Sequence, residues 1–261
     1  MEKVKYQEML PHEIVARRKK CPAAFIGLGG LEWHGEHLGV GNDALKAEKL
    51  CELAAEKSGG FAFPTLWYGE PRVTNLMESN HDEDHKIKAK MKFKKRKWAY
   101  NYFGKTGEEQ IAFYQELLFH LLIQMNTLEM KAVCLVAGHY PLNTFAKPVV
   151  AKFNRNFKDT IAFTGIEFHY PKGATEQNWR KNKKVGGDHA AKWETSYLAY
   201  LRPDCVDMGV FLNRQKEKLI GVHGIDPRKE ASVEVGRKAC ELIVEGMVHK
   251  AKQLIKRVGK R

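Results

Sequence analysis

Short apolar runs alternate with longer amphipathic segments along most of the chain. The short runs are rich in β-branched, aromatic and small apolar residues and predict buried strands, whereas apolar residues that recur at helical spacing predict helices. We predict strands at 23–30, 61–69, 131–139 and 159–170, helices at 43–60, 108–130, 143–157 and 188–201, and a last long helix beginning near 226–227. This alternation predicts an α/β fold, a three-layer α/β/α sandwich with a largely parallel central sheet.

Three of the predicted helix ends carry specific signals. Asp43 is a suitable N-cap for the helix that follows it, and Gly59 or Gly60 can end that helix. Pro203 stops the helix that starts at 188, because proline cannot continue a helix.

The length and composition of the chain bound its organisation. A chain of 261 residues, 43% of them hydrophobic, can bury a sizeable core. The pattern contains no internal repeat and no flexible linker, so we predict a single domain over 1–261. The lysine-rich stretch 78–105 breaks the alternation and is interpreted as an insertion or arm within that domain.

The chain is basic, with 44 Lys and Arg against 31 Asp and Glu and a net charge of +13. Much of the excess lies at 86–98 and 249–261, and basic runs with interspersed aromatic residues can bind nucleic acid. Lys outnumbers Arg, however, and no nucleic-acid motif accompanies the runs. A solvated lysine-rich surface is the favoured interpretation.

Targeting signals and cysteines indicate the compartment. The first twenty residues carry charges throughout, which predicts neither a signal peptide nor a membrane anchor, and no later apolar run is long enough to span a bilayer. The five cysteines are widely spaced and mostly lie in apolar stretches, as buried reduced thiols do. These features predict a cytoplasmic protein.

Ligand-type side chains follow two of the predicted strands. Glu32 and His34 come after the first strand and, two apart in extended backbone, can reach one point; His139 ends the third strand. Open α/β sheets bind ligands at the carboxyl ends of their strands. Asp43 opens the next helix and can fold back beside this pair, and Glu194 can add a carboxylate from a later helix.

Three carboxylates and two imidazoles suit two divalent ions that share one carboxylate. Asp43 is the natural bridge, with Zn²⁺ the first choice of metal and Mn²⁺ or Fe²⁺ compatible with the same ligands. Each residue alone has an ordinary explanation: a helix cap for Asp43, a solvated helix residue for Glu194, a surface histidine for His139. The conjunction carries the prediction.

Three motifs resemble the creatininase family. The segment "GLGGLEWHGEHLGVGND" at 27–43 is similar to its Gly-Ser-x-Glu-x-His-Gly-Pro-His-Leu-Pro-x-Gly-Thr-Asp signature, "HAAKWETS" at 189–196 to its His-Ala-Gly-x-x-Glu-Thr-Ser, and "VAGHYPLN" at 136–143 to its Asn-Gly-His segment. A weaker similarity lies at 221–236. The resemblance covers most of the chain outside the insertion.

The resemblance implies a function and roles for single residues. It implies that Glu32, His34, Asp43, His139 and Glu194 hold a binuclear metal centre with Asp43 bridging. It further implies that His189 is the general acid/base and that Asp188 supports it. Members of the family are metal-dependent hydrolases, typically of amide C–N bonds in small polar or cyclic substrates, and usually assemble as homo-oligomers, often hexamers.

The chain departs from the family pattern in the loops. The first proline of the signature is Glu36 here, the second is Gly39, and the threonine before Asp43 is Asn42. Creatinine-hydrolysing members carry a glutamate two residues after the histidine of the Asn-Gly-His segment, where this chain has Pro141. This difference argues against creatinine as the substrate but leaves hydrolysis in general unaffected.

Further residues are candidates for the surroundings of the metal centre or for substrate contact. His37 matches the signature and is expected to orient a metal-bound carboxylate or the loop itself. Tyr140, His169 and Trp179 are candidate substrate contacts, whereas His81 and His85 are better explained as a charged loop.

Two alternative functions stay open at this point. One is the hydrolytic ring opening of a cyclic polyol ketone of the inosose type, which needs the same activated water and polarised carbonyl. The other is a basic nucleic-acid-binding protein whose His, Asp and Glu cluster is only structural.

Overall fold

A computed structural model describes residues 3–69, 84–94, 105–170 and 188–260. Its strands are β1 (Ala23–Leu28), β2 (Phe61–Leu66), β3 (Ala132–Ala137) and β4 (Ile161–Ile166). Its helices are α1 (Pro11–Lys20), α2 (Asn42–Ser58), α3 (Asp84–Lys90), α4 (Gly107–Thr127), α5 (Tyr140–Asn156), α6 (Lys192–Leu201), α7 (Pro227–Glu230) and α8 (Val233–Val258). Within these ranges, no helix combines the length and the apolar character needed to cross a membrane.

The four strands form one parallel sheet in the order β2-β1-β3-β4. Because side chains alternate along a strand, Phe25 of β1 packs on one face of the sheet and Ile26 packs on the other. Helices α2, α6 and α8 cover the first face, and α4 and α5 cover the second. The predicted three-layer α/β/α fold with a parallel sheet is confirmed.

The strand order creates a topological switch point where the site residues lie. After β1 the chain passes through α2 to β2 on one side, whereas β3 and β4 extend the sheet on the other side. The connections therefore diverge from the carboxyl ends of β1 and β3. Open parallel sheets bind ligands at such a switch point.

Several predicted boundaries need correction. β4 ends at Ile166 and continues as a 3-10 turn, Glu167–His169, instead of reaching Tyr170. The helix predicted from 188 begins at Lys192. The last helix is interrupted: α7 ends at Glu230, and α8 starts after Ser232, whose hydroxyl accepts from the Val235 backbone N–H.

The prediction for the start of α2 is wrong, whereas that for its end is confirmed. Helix α2 begins at Asn42 after Gly41, so Asp43 lies inside the first turn and is not the N-cap. Its carboxylate faces two histidines instead. Gly59 ends the helix with a left-handed φ of 78°, which glycine adopts without steric cost.

The described part of the predicted insertion, 84–94, contacts the rest of the chain. Ile87 of α3 is buried, and Lys90 forms an ion pair of 2.9 Å with Glu36. Arg214 also contacts Glu36, at 2.9 Å. Glu36 therefore joins α3 and the segment around Arg214 to the loop after β1.

The five cysteines are free. Four are buried as predicted, whereas Cys205 is only partly buried.

Two glycines allow the start of α2 to approach the sheet edge closely. A Cβ at Gly138, directly after β3, would collide with the backbone carbonyl of Asp43, and a Cβ at Gly29, after β1, would collide with the backbone of Ala44. The atoms in the way belong to the backbone and cannot rotate aside. Glycine at both positions lets Asp43 sit between the ends of β1 and β3.

We predict that Gly138→Ala destabilises the protein by about 2 kcal/mol or more, since overpacking against rigid backbone forces α2 away from the sheet. Denaturant unfolding measures the loss. Gly39→Ala is the matched control, because a Cβ there meets nothing closer than 3.5 Å. Equal stability of the two variants would contradict the close-approach explanation.

Candidate metal centre

Five ligand-type side chains converge at the carboxyl edge of the sheet. Each is at most 5% exposed. The loop after β1 supplies Glu32 and His34, the first turn of α2 supplies Asp43, the residue before α5 is His139, and the first turn of α6 supplies Glu194. The structure therefore brings together all five predicted ligands, although they are spread over more than 160 residues of sequence.

One half of the cluster surrounds His139. Its Nδ1 lies 2.9 Å from Glu32 Oε2 and 3.0 Å from Asp43 Oδ2. The ligand atoms of these three residues all lie within 4.8 Å of one another. One imidazole nitrogen and two carboxylate oxygens form a donor set that suits Zn²⁺, Mn²⁺ or Fe²⁺.

The other half surrounds His34. Its Nε2 lies 3.1 Å from Asp43 Oδ1 and 3.4 Å from Glu194 Oε2, and the three ligand atoms again lie within 4.8 Å of one another. His34 Nδ1 lies 3.1 Å from the Glu32 carbonyl oxygen, which can only accept, so Nδ1 carries the proton. Nε2 is then the ring nitrogen that faces the Asp43 and Glu194 carboxylates; these carboxylates favour a proton on it, and a bound divalent ion would replace that proton. Backbone carbonyls commonly hold metal-binding histidines in this orientation by accepting from the ring nitrogen that does not bind the metal.

Asp43 belongs to both halves. Its Oδ2 faces His139 and its Oδ1 faces His34, so one carboxylate can contribute an oxygen to each of two ions. The donor set thus fits a pair of divalent cations, with Glu32 and His139 on one side and His34 and Glu194 on the other.

The carboxylates of the cluster are held in their charged form. Burial alone would raise the pKa of Glu32 and of Asp43, but the nearby histidines outweigh it and both pKa values are lowered, that of Asp43 well below its usual range. Burial opposes the charge of His34 as well, yet the carboxylates of Asp43 and Glu194 raise its pKa. The site therefore presents anions, as a cation site requires.

His189 lies beside the cluster. Its Nε2 donates to the Trp33 carbonyl oxygen at 2.9 Å, which leaves the Nδ1 lone pair on the side of Glu32, 3.9 Å from Oε1. Its ring centroid is 4.4 Å from that of His34. Burial and the charge of His34 lower the pKa of His189, which favours the neutral base. Glu32, His34 and His189 form a third group whose ligand atoms lie within 4.8 Å of one another.

Asp188 supports the helix that carries Glu194. Its carboxylate accepts from the backbone N–H groups of Trp193, at 3.1 Å, and Glu194, at 2.9 Å. Burial and the Glu194 charge raise the pKa of Asp188 to about 7. Asp188 thus positions the first turn of α6.

Sequence reasoning missed two charged residues of the site, Lys46 and Glu167. Both are fully buried, and Lys46 Nζ lies 2.7 Å from Glu194 Oε1 and 3.3 Å from Glu167 Oε1. Burial opposes the Lys46 charge, but the carboxylates of Glu167, Glu194 and Asp43 raise its pKa, so it stays an ammonium. The spacing of Lys46 three residues after Asp43 was the available signal, since such residues share a helix face.

The remaining candidates lie around the cluster or outside the described residues. Tyr140 donates to Glu167 Oε1 at 2.9 Å, the same oxygen that Lys46 contacts, so its hydroxyl is directed to Glu167. His169 is exposed, and its Nδ1 accepts from the Ile166 backbone N–H at 3.3 Å, so the structure does not bring it into the cluster. Trp179, in 171–187, and His81, in 70–83, lie outside the described residues.

A parallel α/β sheet with a buried carboxylate and imidazole cluster at its carboxyl edge is the arrangement of a metal-binding α/β protein. The chain belongs to the creatininase family: the family model described as creatinine amidohydrolase matches residues 7–76 and 108–251. Members are hydrolases, and this membership supports a metal-dependent amidohydrolase.

Solved structures share this fold. A crystal structure of creatinine amidohydrolase (creatininase) is 20% identical, with a TM-score of 0.68 over 97% of this chain and 98% of that one. A zinc–zinc form of a creatininase variant is 19% identical, with a TM-score of 0.68 over 97% and 98%. A manganese creatininase is 18% identical, with a TM-score of 0.60 over 96% and 98%. A comparison with curated protein sequences found no match.

His37 joins the loop after β1 to α6 and does not touch a ligand carboxylate. Its Nε2 lies 2.8 Å from Thr195 Oγ1, whose own proton points to the Ala190 carbonyl at 3.4 Å, so Nε2–H is the donor. Its Nδ1 is buried and has no partner among the described residues. Burial and the positive charge of His34 lower the pKa of His37 to about 4.

We predict that His37 makes the protein acid-sensitive. The pKa of His37 is about 6.5 in the unfolded state and about 4 in the folded state, so between these pH values the unfolded state binds more protons. The contribution of His37 to the free energy of unfolding is therefore fully present above pH 6.5 and is lost as the pH falls towards 4. From pH 7.5 to 5 the contribution to the free energy of unfolding should fall by about 2 kcal/mol.

Denaturant unfolding of the wild type and of His37→Gln at both pH values measures this contribution, since Gln can still donate to Thr195. The exposed His12→Gln is the control and should follow the wild type. The same pH dependence in His37→Gln and in the wild type would rule out this role of His37.

Proposed function

We propose that the protein is a binuclear metal-dependent hydrolase that cleaves an amide or cyclic amide C–N bond of a small polar substrate. The observation that carries the proposal is the position of Asp43, whose two oxygens face His139 and His34 at 3.0 and 3.1 Å. A carboxylate shared between two imidazoles, each with a further carboxylate beside it, is the arrangement expected around two bridged cations.

The donor set favours Zn²⁺, with Mn²⁺ or Fe²⁺ as alternatives, because each half offers one imidazole nitrogen and two carboxylate oxygens. Zinc–zinc and manganese forms occur among the related creatininase structures. Two bound divalent ions would lower the pKa of a water towards neutrality and polarise the carbonyl of the substrate.

Residues of the chain carry out the proton transfer and position the groups of the site. His189, with its Nδ1 lone pair directed to the cluster, accepts the proton of the attacking water and returns it to the leaving nitrogen. The Trp33 carbonyl holds the imidazole in the required tautomer. Asp188 fixes the start of α6 and thereby the direction of Glu194.

The substrate class stays broader than creatinine, since Pro141 replaces the glutamate of creatinine-hydrolysing members. A panel of formamides, lactams and ureido compounds would narrow it. The family match favours neither inosose ring opening nor nucleic-acid binding. A homo-oligomer, a hexamer by the family resemblance, is part of the same proposal, and light scattering tests it.

We predict that the wild type binds two divalent ions per chain and that Asp43→Ala loses at least one of them together with activity, because the variant lacks the shared ligand. Elemental analysis of protein purified without chelators measures the content. Asp159→Ala is the matched control, since Asp159 is exposed and lies outside the cluster. A metal content unchanged by Asp43→Ala would refute the bridging role.

We predict that His189→Gln keeps both ions and lowers kcat on any substrate found by about 10²- to 10⁴-fold, the usual contribution of a general acid/base. Steady-state kinetics with parallel metal analysis separates catalysis from metal loss. His120→Gln, at an exposed position on α4, is the control. If His189→Gln loses metal instead, His189 is a ligand, as the third group of Glu32, His34 and His189 would allow.

A further inference from the structure

Behind Glu194 lies a buried chain of polar groups that the proposed reaction does not use. It consists of Lys46 from α2, Glu167 from the turn after β4, and the Tyr140 hydroxyl from the start of α5. Lys46 and Glu167 are 0% exposed. Tyr140 donates to Glu167 Oε1 at 2.9 Å, and Lys46 Nζ lies 3.3 Å from the same oxygen and 5.3 Å from the centre of the Tyr140 ring.

The end of this chain is the Glu194 carboxylate. Lys46 Nζ donates to Glu194 Oε1 at 2.7 Å, its shortest contact. The other oxygen, Oε2, accepts from the Ala190 backbone N–H at 2.8 Å and faces His34 Nε2 at 3.4 Å. The two oxygens of Glu194 thus have separate partners, and only Oε2 is directed to the metal-binding side.

Charge alone does not explain the Lys46 and Glu167 pair. One ammonium and one carboxylate cancel, so the pair leaves the net charge of the cluster unchanged. Stability is a weak explanation as well, since buried ion pairs can often be replaced by apolar residues without loss. The pair instead fixes the orientation of Glu194, because Lys46 Nζ donates from a fixed position to one of its two carboxylate oxygens.

Resting on the binuclear centre proposed above, we propose that Lys46 is a positioning residue that holds Glu194 Oε1, so that Glu194 binds its ion through Oε2 alone. Glu167 and Tyr140 keep the Lys46 ammonium at this point. Lys46 therefore positions a ligand of the ion beside His34 and not of the ion beside His139, because the Asp43 oxygen nearest to Lys46 Nζ, at 3.8 Å, is Oδ1, which also faces His34.

The double variant Lys46→Met/Glu167→Gln tests this, because it removes both charges together and leaves no unpaired buried ion. Loaded with Co²⁺, it should bind one of the two ions about 10- to 100-fold more weakly, as is usual when a group that orients a ligand is lost. Chelator competition gives both affinities, and the visible absorption of Co²⁺ should change for the affected ion only.

Lys57→Met/Glu245→Gln is the matched control, since it removes an exposed ion pair of 2.9 Å that starts from the same helix. It should leave both affinities and the spectrum unchanged. A second test variant, Tyr140→Phe, removes one hydrogen bond to Glu167 and should weaken the same ion by about two- to tenfold. It decides the question should the double variant not fold.

Wild-type affinities and spectrum in the folded double variant, or in Tyr140→Phe if only that variant folds, would overturn the role of Lys46. The number of ions bound by the wild type tests the binuclear centre separately. If the wild type binds a single ion, a tenfold weaker affinity in the double variant still supports Lys46 and an equal affinity overturns it. A wild type that binds no ion overturns both proposals.

Discussion

The close contact between the start of α2 and the carboxyl ends of β1 and β3 determines the geometry of the site. Gly138 and Gly29 leave room for the backbone of Asp43 and Ala44 where any side chain would collide. Because of this contact, the Asp43 carboxylate projects between two histidines that arrive from different strands. Lys46, one turn further along α2, reaches the cluster for the same reason.

A second constraint is electrostatic. The site buries four carboxylates, each at most 3% exposed, and one ammonium, that of Lys46; the carboxylates are those of Glu32, Asp43, Glu167 and Glu194. Burying charge costs several kcal/mol per ion unless it is paired. Histidines and Lys46 pair these groups in the protein chain, and divalent ions would complete the balance, so binding metal and stabilising this edge of the sheet are coupled.

The fold and the clustering of the five candidate ligands could be predicted from the sequence because they leave strong local signals. Buried parallel strands are short apolar runs, and Glu32, His34 and His139 follow two of them directly. The start of α2 could not be predicted, since Asp43 has the side chain of an N-cap and only tertiary packing turns it to the histidines. Lys46 and Glu167 were missed because they lie 121 residues apart and neither belongs to a recognisable motif.

Glu36 stands where the family signature has a proline, and its contacts with Lys90 and Arg214 suggest a different way of shaping the loop between the ligands. A proline ring restricts the backbone under all solution conditions. Ion pairs between partly exposed side chains are instead weakened as the salt concentration rises, because dissolved ions screen the charges. The Debye length of this screening is about 8 Å at physiological ionic strength. The rigidity of this loop in the protein therefore depends on ionic strength, which a proline in its place would have avoided.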